Sequence, residues 1–342
     1  MTEKRRSDIL ILGIETSCDE TSAAVLKNGT DLLSHIIASQ IATHQKYGGV
    51  VPEVASREHI LHFREVVGQA LKEAGVDFQD LAAVAVTNGP GLVGSLLVGV
   101  AGAKALAYAA GIPLIGINHL EGHIYANFLM HPELEFPFLA LLVSGGHTHL
   151  VYFRGHGDFD VLGHTRDDAA GEAFDKIARA LGLGYPGGPQ IQKAAEHGDA
   201  FAFELPRAML EPGSLDFSFS GMKSAVLNTM NSTRMKGIEL SVPDVAASFQ
   251  QSVIDVLVRK ALLAQQNTGA QTVLLAGGVA ANALLRRNLA ERLEERGVKL
   301  LYPPPMLCTD NGAMIATAGY YHYLDRDFAP LTLNAVPGLG LV

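Results

Sequence analysis

The chain has 342 residues, of which 48% are hydrophobic and 18% charged, and its formal net charge is −9. This length suits two domains, because one domain commonly holds about 100–200 residues, and the composition excludes a disordered, collagen-like or disulfide-scaffold protein. The only two cysteines, Cys18 and Cys308, fit a reducing cytoplasm. The acidic balance argues against nucleic-acid binding through bulk charge alone.

Two apolar stretches bear on location. The first eight residues are rich in charge, and the apolar run after them covers only residues 9–14, so no signal peptide is predicted. Residues 88–118 carry one charge, Lys104, and would score high in a hydropathy scan. Because glycines and prolines interrupt this stretch, it predicts a Gly/Ala-rich helix buried between a sheet and its neighbours. We therefore expect a cytoplasmic protein.

The first half of the chain alternates strand-like and helix-like segments that glycines punctuate. Short apolar runs predict strands, and an apolar period of 3.6 residues predicts helices. The predicted strands span residues 9–14, 22–26, 81–86 and 114–117, and the predicted helices span 52–74 and 92–110. A polar turn joins the first two strands, and a histidine, His119, follows the last strand.

The second half repeats this order. The predicted strands span residues 138–143, 148–153, 272–275 and 299–302, and the predicted helices span 169–181, 243–266 and 281–296. Residues 182–243 show little periodicity and predict ordered loops with short helices. The repeat predicts an α/β fold of two similar lobes with a ligand cleft between them. We expect residues 8–135 in the first lobe, joined by a closing helix within 311–330, and 136–310 in the second.

A pair of histidines in the motif HLEGH carries the first chemical signal. His119 and His123 stand at i and i+4, which on a helix places both imidazoles on one face, as a metal pair requires. The zinc-protease motif needs Glu directly after the first His, and this chain has Leu120 there, which argues against a metalloprotease. Two ordinary histidines at a helix start remain the alternative.

Asp310 holds the equivalent place in the second half, just beyond the predicted strand 299–302. Two half-sites that face each other could bring His119, His123 and Asp310 onto one ion. Two imidazoles and one carboxylate leave positions open for substrate, as in catalytic sites. The alternative for Asp310 is the N-cap of the closing helix.

Two turns and one acidic residue point to an anionic or nucleotide ligand. The turn Ser144-Gly145-Gly146 exposes backbone amides and lets a phosphate approach closely. Residues 277–282 form a strand-to-helix junction that favours an anion in the same way. Asp175 could accept hydrogen bonds from a hydroxyl or amine of the ligand.

Other signals are weaker. The motif GPGLVG at residues 89–94 resembles a dinucleotide fingerprint, but no acidic residue follows it before Glu121, so it predicts close helix–sheet packing instead of NAD binding. His59 and His62 predict a surface or capping role on their helix. Cys18 could be a nucleophile, although the sequence identifies no histidine partner for it.

Motifs in a fixed order along the chain resemble the TsaD family, once described as O-sialoglycoprotein endopeptidases and now as tRNA N6-adenosine threonylcarbamoyltransferases. The matching stretches are GIETSCDETSAAV (13–25), HQKYGGVVPEVASREH (44–59), NGPGLVG (88–94), HLEGH (119–123), LVSGGHTHL (142–150), DDAAGEAFDK (167–176), YPGGP (185–189), DFSFSGMKSA (216–225), AGGVAAN (276–282) and CTDNGAMIA (308–316). They cover nearly the whole chain, and several are long enough to make coincidence negligible.

The resemblance implies an actin/Hsp70/sugar-kinase (ASKHA) fold of two ribonuclease-H-like lobes. It implies one divalent metal ion, Fe²⁺ or Zn²⁺, held by His119, His123 and Asp310. It also implies a threonylcarbamoyl-AMP site made of Leu142, Val143, Ser144, Gly145, Gly146, Asp175, Gly188 and Asn282. One departure stands at Gln192, where many relatives carry an Asp that is thought to contact the ligand. Glutamine still forms hydrogen bonds but carries no charge.

The implied reaction is metal-assisted acyl transfer from threonylcarbamoyl-AMP to N6 of the adenosine beside the anticodon, in tRNAs that read codons beginning with A. An exocyclic amine is a poor nucleophile, so positioning and charge stabilisation must lower the barrier. Glu15, in the first hairpin turn, is the candidate general base. The resemblance also implies a TsaB-like paralogue and a TsaE-like ATPase as partner subunits, with no membrane association.

Two other functions remain open from the sequence. The chain could be a nucleotide-binding scaffold of the modification complex that does no chemistry itself, or an ATP phosphotransferase of the same superfold. The intact set of two histidines and one aspartate favours the enzyme, because a scaffold has no need of three metal ligands.

Overall fold

The computed structural model describes residues 8–208, 211–237 and 239–341. Most of the charged leader and three positions of the predicted loop region, 209, 210 and 238, lie outside the described residues. The chain forms two compact units. Within the described residues, unit 1 comprises 8–42, 50–134 and 309–341, and unit 2 comprises 43–49 and 135–308.

Unit 1 is built on a five-stranded sheet of order β3-β2-β1-β4-β5. Its strands are β1 (Leu10–Glu15), β2 (Glu20–Lys27), β3 (Asp31–Ser39), β4 (Ala83–Gly89) and β5 (Leu114–Asn118). The first three strands pair antiparallel, while β4 and β5 run parallel to β1. Both sides of β1 and β4 are buried, and the residues 10–14 of β1 and 83–86 of β4 accordingly carry no polar side chain.

Helices follow the strands of unit 1. The helices are α1 (Ile41–Gln45), α2 (Pro52–Ala74), α3 (Val93–Ala110) and α4 (His119–Met130), and α1 begins in unit 1 and ends in unit 2. A later helix, α11 (Gly312–Leu324), also belongs to unit 1. Residues of α2 and α3, such as Val66 and Val100, form one core with Leu12 and Val84 of the sheet. Helix α2 ends at Gly75, whose positive φ of 68° suits glycine.

Helix α11 lies directly against the backbone of β1. A Cβ added to Gly13 would fall 2.3 Å from the backbone nitrogen of Ala316, and one added to Gly319 would fall 2.4 Å from Cβ of Ala85. Only glycine allows so close a contact between helix and sheet. The start of α11, and with it the preceding residue pair Asp310-Asn311, is therefore fixed relative to the sheet.

Helix α3 contains the stretch that raised the question of a membrane span. Within the described residues it is the one helix long and apolar enough to cross a bilayer by length and composition, which is weak evidence because soluble core helices pass the same test. A third of it is buried, and Val93 and Tyr108 are exposed, so the prediction of a helix buried on all sides is wrong. Its single charge, Lys104, donates to the Leu333 carbonyl at 2.6 Å.

Unit 2 is built on a second five-stranded sheet, of order β10-β9-β6-β7-β8. Its strands are β6 (Phe138–Val143), β7 (Thr148–Gly155), β8 (Asp158–His164), β9 (Thr272–Ala276) and β10 (Lys299–Leu301). Its helices are α5 (Ala170–Ala180), α6 (Gly187–Ala195), α7 (Ser220–Met235), α8 (Val242–Thr268), α9 (Ala283–Glu294) and α10 (Pro305–Cys308). Leu141 and Leu150 of the sheet share one core with Phe174 of α5 and Phe249 of α8.

The two sheets share one architecture. In each, three antiparallel strands are followed by two parallel strands on the other side of the first strand. The repeat of architecture that the sequence predicts is therefore present. In each half the sequence interpretation missed the third antiparallel strand, β3 and β8.

Candidate active site

The candidate metal ligands come together at the start of α4. Asn118 caps this helix, and its side-chain oxygen accepts a hydrogen bond from the Leu120 amide at 2.9 Å. His119 and His123 follow one turn apart, and their Nε2 atoms lie 3.5 Å and 3.2 Å from Asp310 Oδ1. One ligand atom from each residue lies within 4.8 Å of the others. Residues far apart in sequence thus form one cluster within unit 1.

Asp310 is not the N-cap of α11. Asn311 takes that role, because its side-chain oxygen accepts from the Met314 amide at 2.9 Å. The capping alternative for Asp310 is therefore wrong. Since Asn311 satisfies the helix end, the carboxylate of Asp310 faces the two imidazoles instead.

Glu15 lies behind His119 at the end of β1 and is fully buried. Its Oε1 accepts from the Ser17 amide at 2.5 Å, and its Oε2 accepts from the Thr87 hydroxyl at 2.6 Å and lies 3.0 Å from His119 Nδ1. Burial alone would raise the pKa of Glu15, but His119 outweighs it and the pKa is lowered. A carboxylate on the far nitrogen of a ligating histidine is the usual means of orienting that histidine.

The two histidines differ in their electrostatics. Burial lowers the pKa of both, but Asp310 and Glu15 outweigh burial at His119 and raise its pKa to about 9. His123 keeps a lowered pKa. Its Nδ1 makes no hydrogen bond within the described part of the chain, and its Nε2 faces Asp310 Oδ1 at 3.2 Å. A neutral buried imidazole whose Nε2 faces a carboxylate, beside a second imidazole, fits a divalent metal ion.

The turn between β1 and β2 is supported by a histidine that the sequence interpretation placed on the surface. His59 of α2 is fully buried, with Nε2 2.9 Å from the Cys18 carbonyl and Nδ1 2.7 Å from the Thr21 hydroxyl. The predicted surface role of His59 is therefore wrong. Burial, with Asp19 beside it, holds the pKa of the Cys18 thiol well above its usual range, which argues against a nucleophilic thiolate.

In unit 2 the glycine turn presents open backbone. The Ser144 amide donates to the His147 carbonyl at 2.8 Å, so this amide is already in use. No heavy atom of the described residues lies within 4 Å of a Cβ built on Gly145 or Gly146. A Cβ on Gly171 would fall 2.4 Å from the Ser144 carbonyl, so the start of α5 lies directly against the turn. Because the Ser144 amide is in use, an anion at this turn would have to bind the backbone amides of the residues that follow Ser144.

Asp175 and Gly188 meet at the start of α6. Asp175 Oδ1 accepts from the Gly187 amide at 2.7 Å, and the space around Gly188 is open among the described residues. Gln192, one turn further on, has its side-chain oxygen on the Ala283 amide at 2.9 Å. Gln192 therefore links α6 to the start of α9, and this contact occupies its side-chain oxygen.

The remaining predicted ligand contacts lie along the ends of β6 and β9. Leu142 and Val143 are fully buried strand residues. Gly277 has a φ of 87° and lies close to the end of β6. A Cβ added to Gly277 would fall 2.5 Å from the carbonyl oxygen of Val143. Asn282 caps α9 by accepting from the Leu285 amide at 3.0 Å, and its Nδ2 donates to Gln250. Several predicted ligand residues thus also hold the turns in place.

The fold and the site define a class: a mixed α/β protein of the actin/Hsp70/sugar-kinase (ASKHA) type that carries a buried candidate metal centre. HypF, in its phosphate- and nucleotide-bound form, aligns over 93% of this chain and 46% of its own with a TM-score of 0.62 and 16% identity. Component A of (R)-2-hydroxyglutaryl-CoA dehydratase from Acidaminococcus fermentans aligns over 93% of this chain and 99% of its own, with a TM-score of 0.54 and 16% identity. These likenesses confirm the predicted fold class.

Sequence comparison identifies the family. The family model TsaD, described as tRNA N6-adenosine threonylcarbamoyltransferase, matches residues 31–317. A protein of that description from Desulfitobacterium hafniense (strain Y51) is 75% identical over 334 residues, which cover 98% of each chain. Another, from Moorella thermoacetica, is 58% identical over 341 residues, or 100% of each chain. The chain belongs to the TsaD family and is an enzyme of the transferase class, as predicted.

Proposed function

We propose that this chain transfers the threonylcarbamoyl group of threonylcarbamoyl-AMP to N6 of the adenosine beside the anticodon in tRNAs that read codons beginning with A. The observation that carries the chemistry is the buried set of His119, His123 and Asp310, with Glu15 directly behind His119. Neither a scaffold nor a phosphotransferase gives a reason for this set.

Two imidazoles and one carboxylate suit Fe²⁺ or Zn²⁺ and leave coordination positions for substrate. When bound, such an ion supplies Lewis-acid charge to the carbamoyl carbonyl or orients the threonyl part. His119 and His123 present their Nε2 atoms on the same side as Asp310. These three side chains would therefore hold the ion, with two of them fixed one turn apart on α4 and the third fixed just before α11.

The contacts of Glu15 favour a positioning role in place of general base catalysis. Its two oxygens already accept from Ser17, Thr87 and His119, and the residue is fully buried. A general base must reach the proton that it removes. Glu15 instead keeps the Nδ1 proton of His119 in place, which leaves Nε2 free to bind metal.

Unit 2 would bind the adenylate part of the substrate. Gly145 and Gly146 are exposed and have open space where a Cβ would lie, so their backbone amides can donate to the phosphate. Asp175 uses one oxygen on the Gly187 amide. A carboxylate accepts more than one hydrogen bond, so it can also receive a hydroxyl of the ligand. Leu142, Val143, Gly188 and Asn282 complete the proposed set.

The surface of unit 1 supports a protein partner. Ile60 and Leu61 of α2 are exposed, as are Val93, Leu97 and Tyr108 of α3, and the two helices pack on each other. Exposed apolar side chains on two neighbouring helices suit a protein interface. We assign this face to the TsaB-like paralogue, with a TsaE-like ATPase as a further subunit. The assembly would act in the cytoplasm, where both free cysteines stay reduced.

The double variant His119→Ala with His123→Ala tests the metal and the chemistry together. Elemental analysis should find about one divalent ion per wild-type chain and almost none in the variant. The variant should also lose threonylcarbamoyl transfer to transcribed tRNA when partner subunits and threonylcarbamoyl-AMP are supplied. A variant of two histidines outside the cluster, His62→Ala with His197→Ala, should keep its metal. Undiminished metal in the first variant would contradict the ligand assignment.

A further inference from the structure

Helix α4 crosses α11 at Gly122. A Cβ added to Gly122 would lie 2.8 Å from Cδ1 of Ile315 in α11, so the two helices are in close contact there. Successive residues of a helix are turned by about 100°, so Glu121 points about 200° away from His119. The candidate metal ligands therefore lie on one side of this crossing, and Glu121 lies on the other.

Glu121 makes an ion pair across that other side. It is 7% exposed, and both of its carboxylate oxygens lie 3.2 Å from Nε2 of His322, near the end of α11. Nδ1 of His322 lies 2.8 Å from Asp327 Oδ2. The imidazole is thus held between two carboxylates, one of which is buried. Tyr125, one turn beyond Glu121, is hydrogen-bonded to the same carboxylate.

Aromatic packing alone would not fix the helices in this way. Tyr125 and Phe128 of α4 pack against Tyr321 of α11 with ring centroids 5.5 Å and 5.3 Å apart. Apolar contacts are non-directional and allow a helix to slide or turn by a fraction of a residue. Hydrogen bonds weaken steeply with distance and angle. The Glu121–His322 pair therefore adds a directional contact to the close packing that already holds α11 against the sheet and against Gly122 of α4.

We propose that Glu121 and His322 form a positioning brace for the candidate metal centre. This inference rests on the metal site of the proposed function. His119 and His123 belong to α4, and Asp310 stands just before α11, so the geometry of the ligand set depends on how these two helices are held. The nitrogen-to-oxygen distances of 3.5 Å and 3.2 Å leave little room for a shift of one helix along the other.

The test measures metal affinity, with no enzyme assay. His322→Leu removes the brace but leaves a buried carboxylate without its cation, which can impair folding. The double variant Glu121→Leu with His322→Leu removes both charges, and apolar replacement of a buried pair is often neutral for stability. The matched control is Glu58→Leu with His62→Leu, an ion pair of 3.3 Å on the surface of α2.

Zn²⁺ affinity is measured by competition with a chromophoric chelator, and the Co²⁺-loaded proteins are compared by visible absorption. We expect the Glu121/His322 double variant to bind Zn²⁺ at least about 10-fold more weakly, the effect typical of residues that orient metal ligands, and its Co²⁺ bands to shift. Its thermal midpoint without metal should stay close to that of the wild type, and the control should match the wild type in every measurement.

Equal Zn²⁺ affinity and identical Co²⁺ spectra in the wild type and the folded double variant would overturn the brace alone. No Zn²⁺ or Co²⁺ binding by the wild type would overturn the metal site of the proposed function, and the brace with it. A loss of affinity as large in the control pair as in the double variant would also overturn the brace, because the effect would then be general.

Discussion

Replacing Glu15 by glutamine tests how the nitrogen of His119 that we propose as a metal ligand is selected. The Ser17 amide, 2.5 Å from Oε1, can only donate, so the glutamine carbonyl oxygen must stay on that side. The glutamine NH₂ group then faces His119 Nδ1, which lies 3.0 Å from Oε2 in the wild type. Nδ1 then either accepts from this group, which moves the proton to Nε2, the nitrogen that faces Asp310, or keeps its proton with the Ser17 hydroxyl, 3.1 Å away, as its remaining acceptor.

A protonated Nε2 has no lone pair for a metal. The variant must therefore take one of two forms. Either it loses His119 as a metal ligand, or the N–H of His119 Nδ1 and the NH₂ group of the buried glutamine face each other as two donors. Substitutions of the group behind a ligating histidine cost about 10–100-fold in metal affinity, which corresponds to about 1.4–2.7 kcal/mol at about 1.4 kcal/mol per tenfold. The lost carboxylate charge acts in the same direction, because it attracts the cation.

Zn²⁺ titration against a competing chelator measures the change, and circular dichroism checks that the variant folds. The matched control is Asp216→Asn in unit 2, because Asp216 also accepts from a backbone amide, that of His164, and from a cationic side chain, that of Arg166. The control should bind Zn²⁺ as the wild type does. A folded Glu15→Gln protein with wild-type affinity would refute the tautomer reasoning.

Three further predictions concern other parts of the molecule. Gly145→Val should fold, since its Cβ meets no heavy atom of the described residues within 4 Å apart from its chain neighbours. Threonylcarbamoyl transfer to tRNA should nevertheless fall at least about 100-fold, which corresponds to about 2.7 kcal/mol of lost transition-state stabilisation. Near-normal transfer would favour a scaffold. At a net charge of −9, the isolated chain should bind tRNA weakly in filter assays, and tight, salt-sensitive binding would contradict the need for partners. Burial, with His164 nearby, lowers the pKa of His149 to about 4, so the unfolded chain binds more protons than the folded one between that pH and about 6.5. The contribution of His149 to stability should therefore fall by up to about 3 kcal/mol as pH drops through this window, while Glu20, whose pKa burial raises to about 10, contributes with the opposite sign. Urea unfolding of the wild type and of His149→Gln isolates the His149 contribution as a difference between their pH slopes, and equal slopes would count against this assignment.

The sequence predicts the central strands and the long helices because their apolar runs are continuous or regularly spaced. It misses β3 and β8, which lie at sheet edges and are only partly buried along their length. It also misses most of α7, a helix of 16 residues rich in Ser, Asn and Thr. Edge strands and polar helices gain their stability from tertiary contacts, which periodicity does not report.

For the candidate site, sequence spacing predicts that His119 and His123 share a helix face, and the repeat of architecture points to Asp310 as a residue of the second half, whereas Asp310 belongs to unit 1. Local spacing contains no signal for the contact between Glu15 and His119, because it joins residues that are 104 positions apart. The sequence also does not decide which residue caps α11. Asp310 and Asn311 are both good capping residues, and only the backbone geometry shows that Asn311 takes this role.

The discontinuity of unit 1 has a consequence for the order of folding. Helix α11 covers the backbone of β1 at Gly13, yet it follows β1 in the chain only after the continuous stretch 135–308 of unit 2. During synthesis, unit 2 can therefore complete its sheet while unit 1 still lacks a covering helix and Asp310. Closing this long loop is entropically costly, but the cost grows only slowly with loop length. The candidate metal ligands would thus be among the last groups to assemble, and a chain still being made would hold two histidines without their carboxylate.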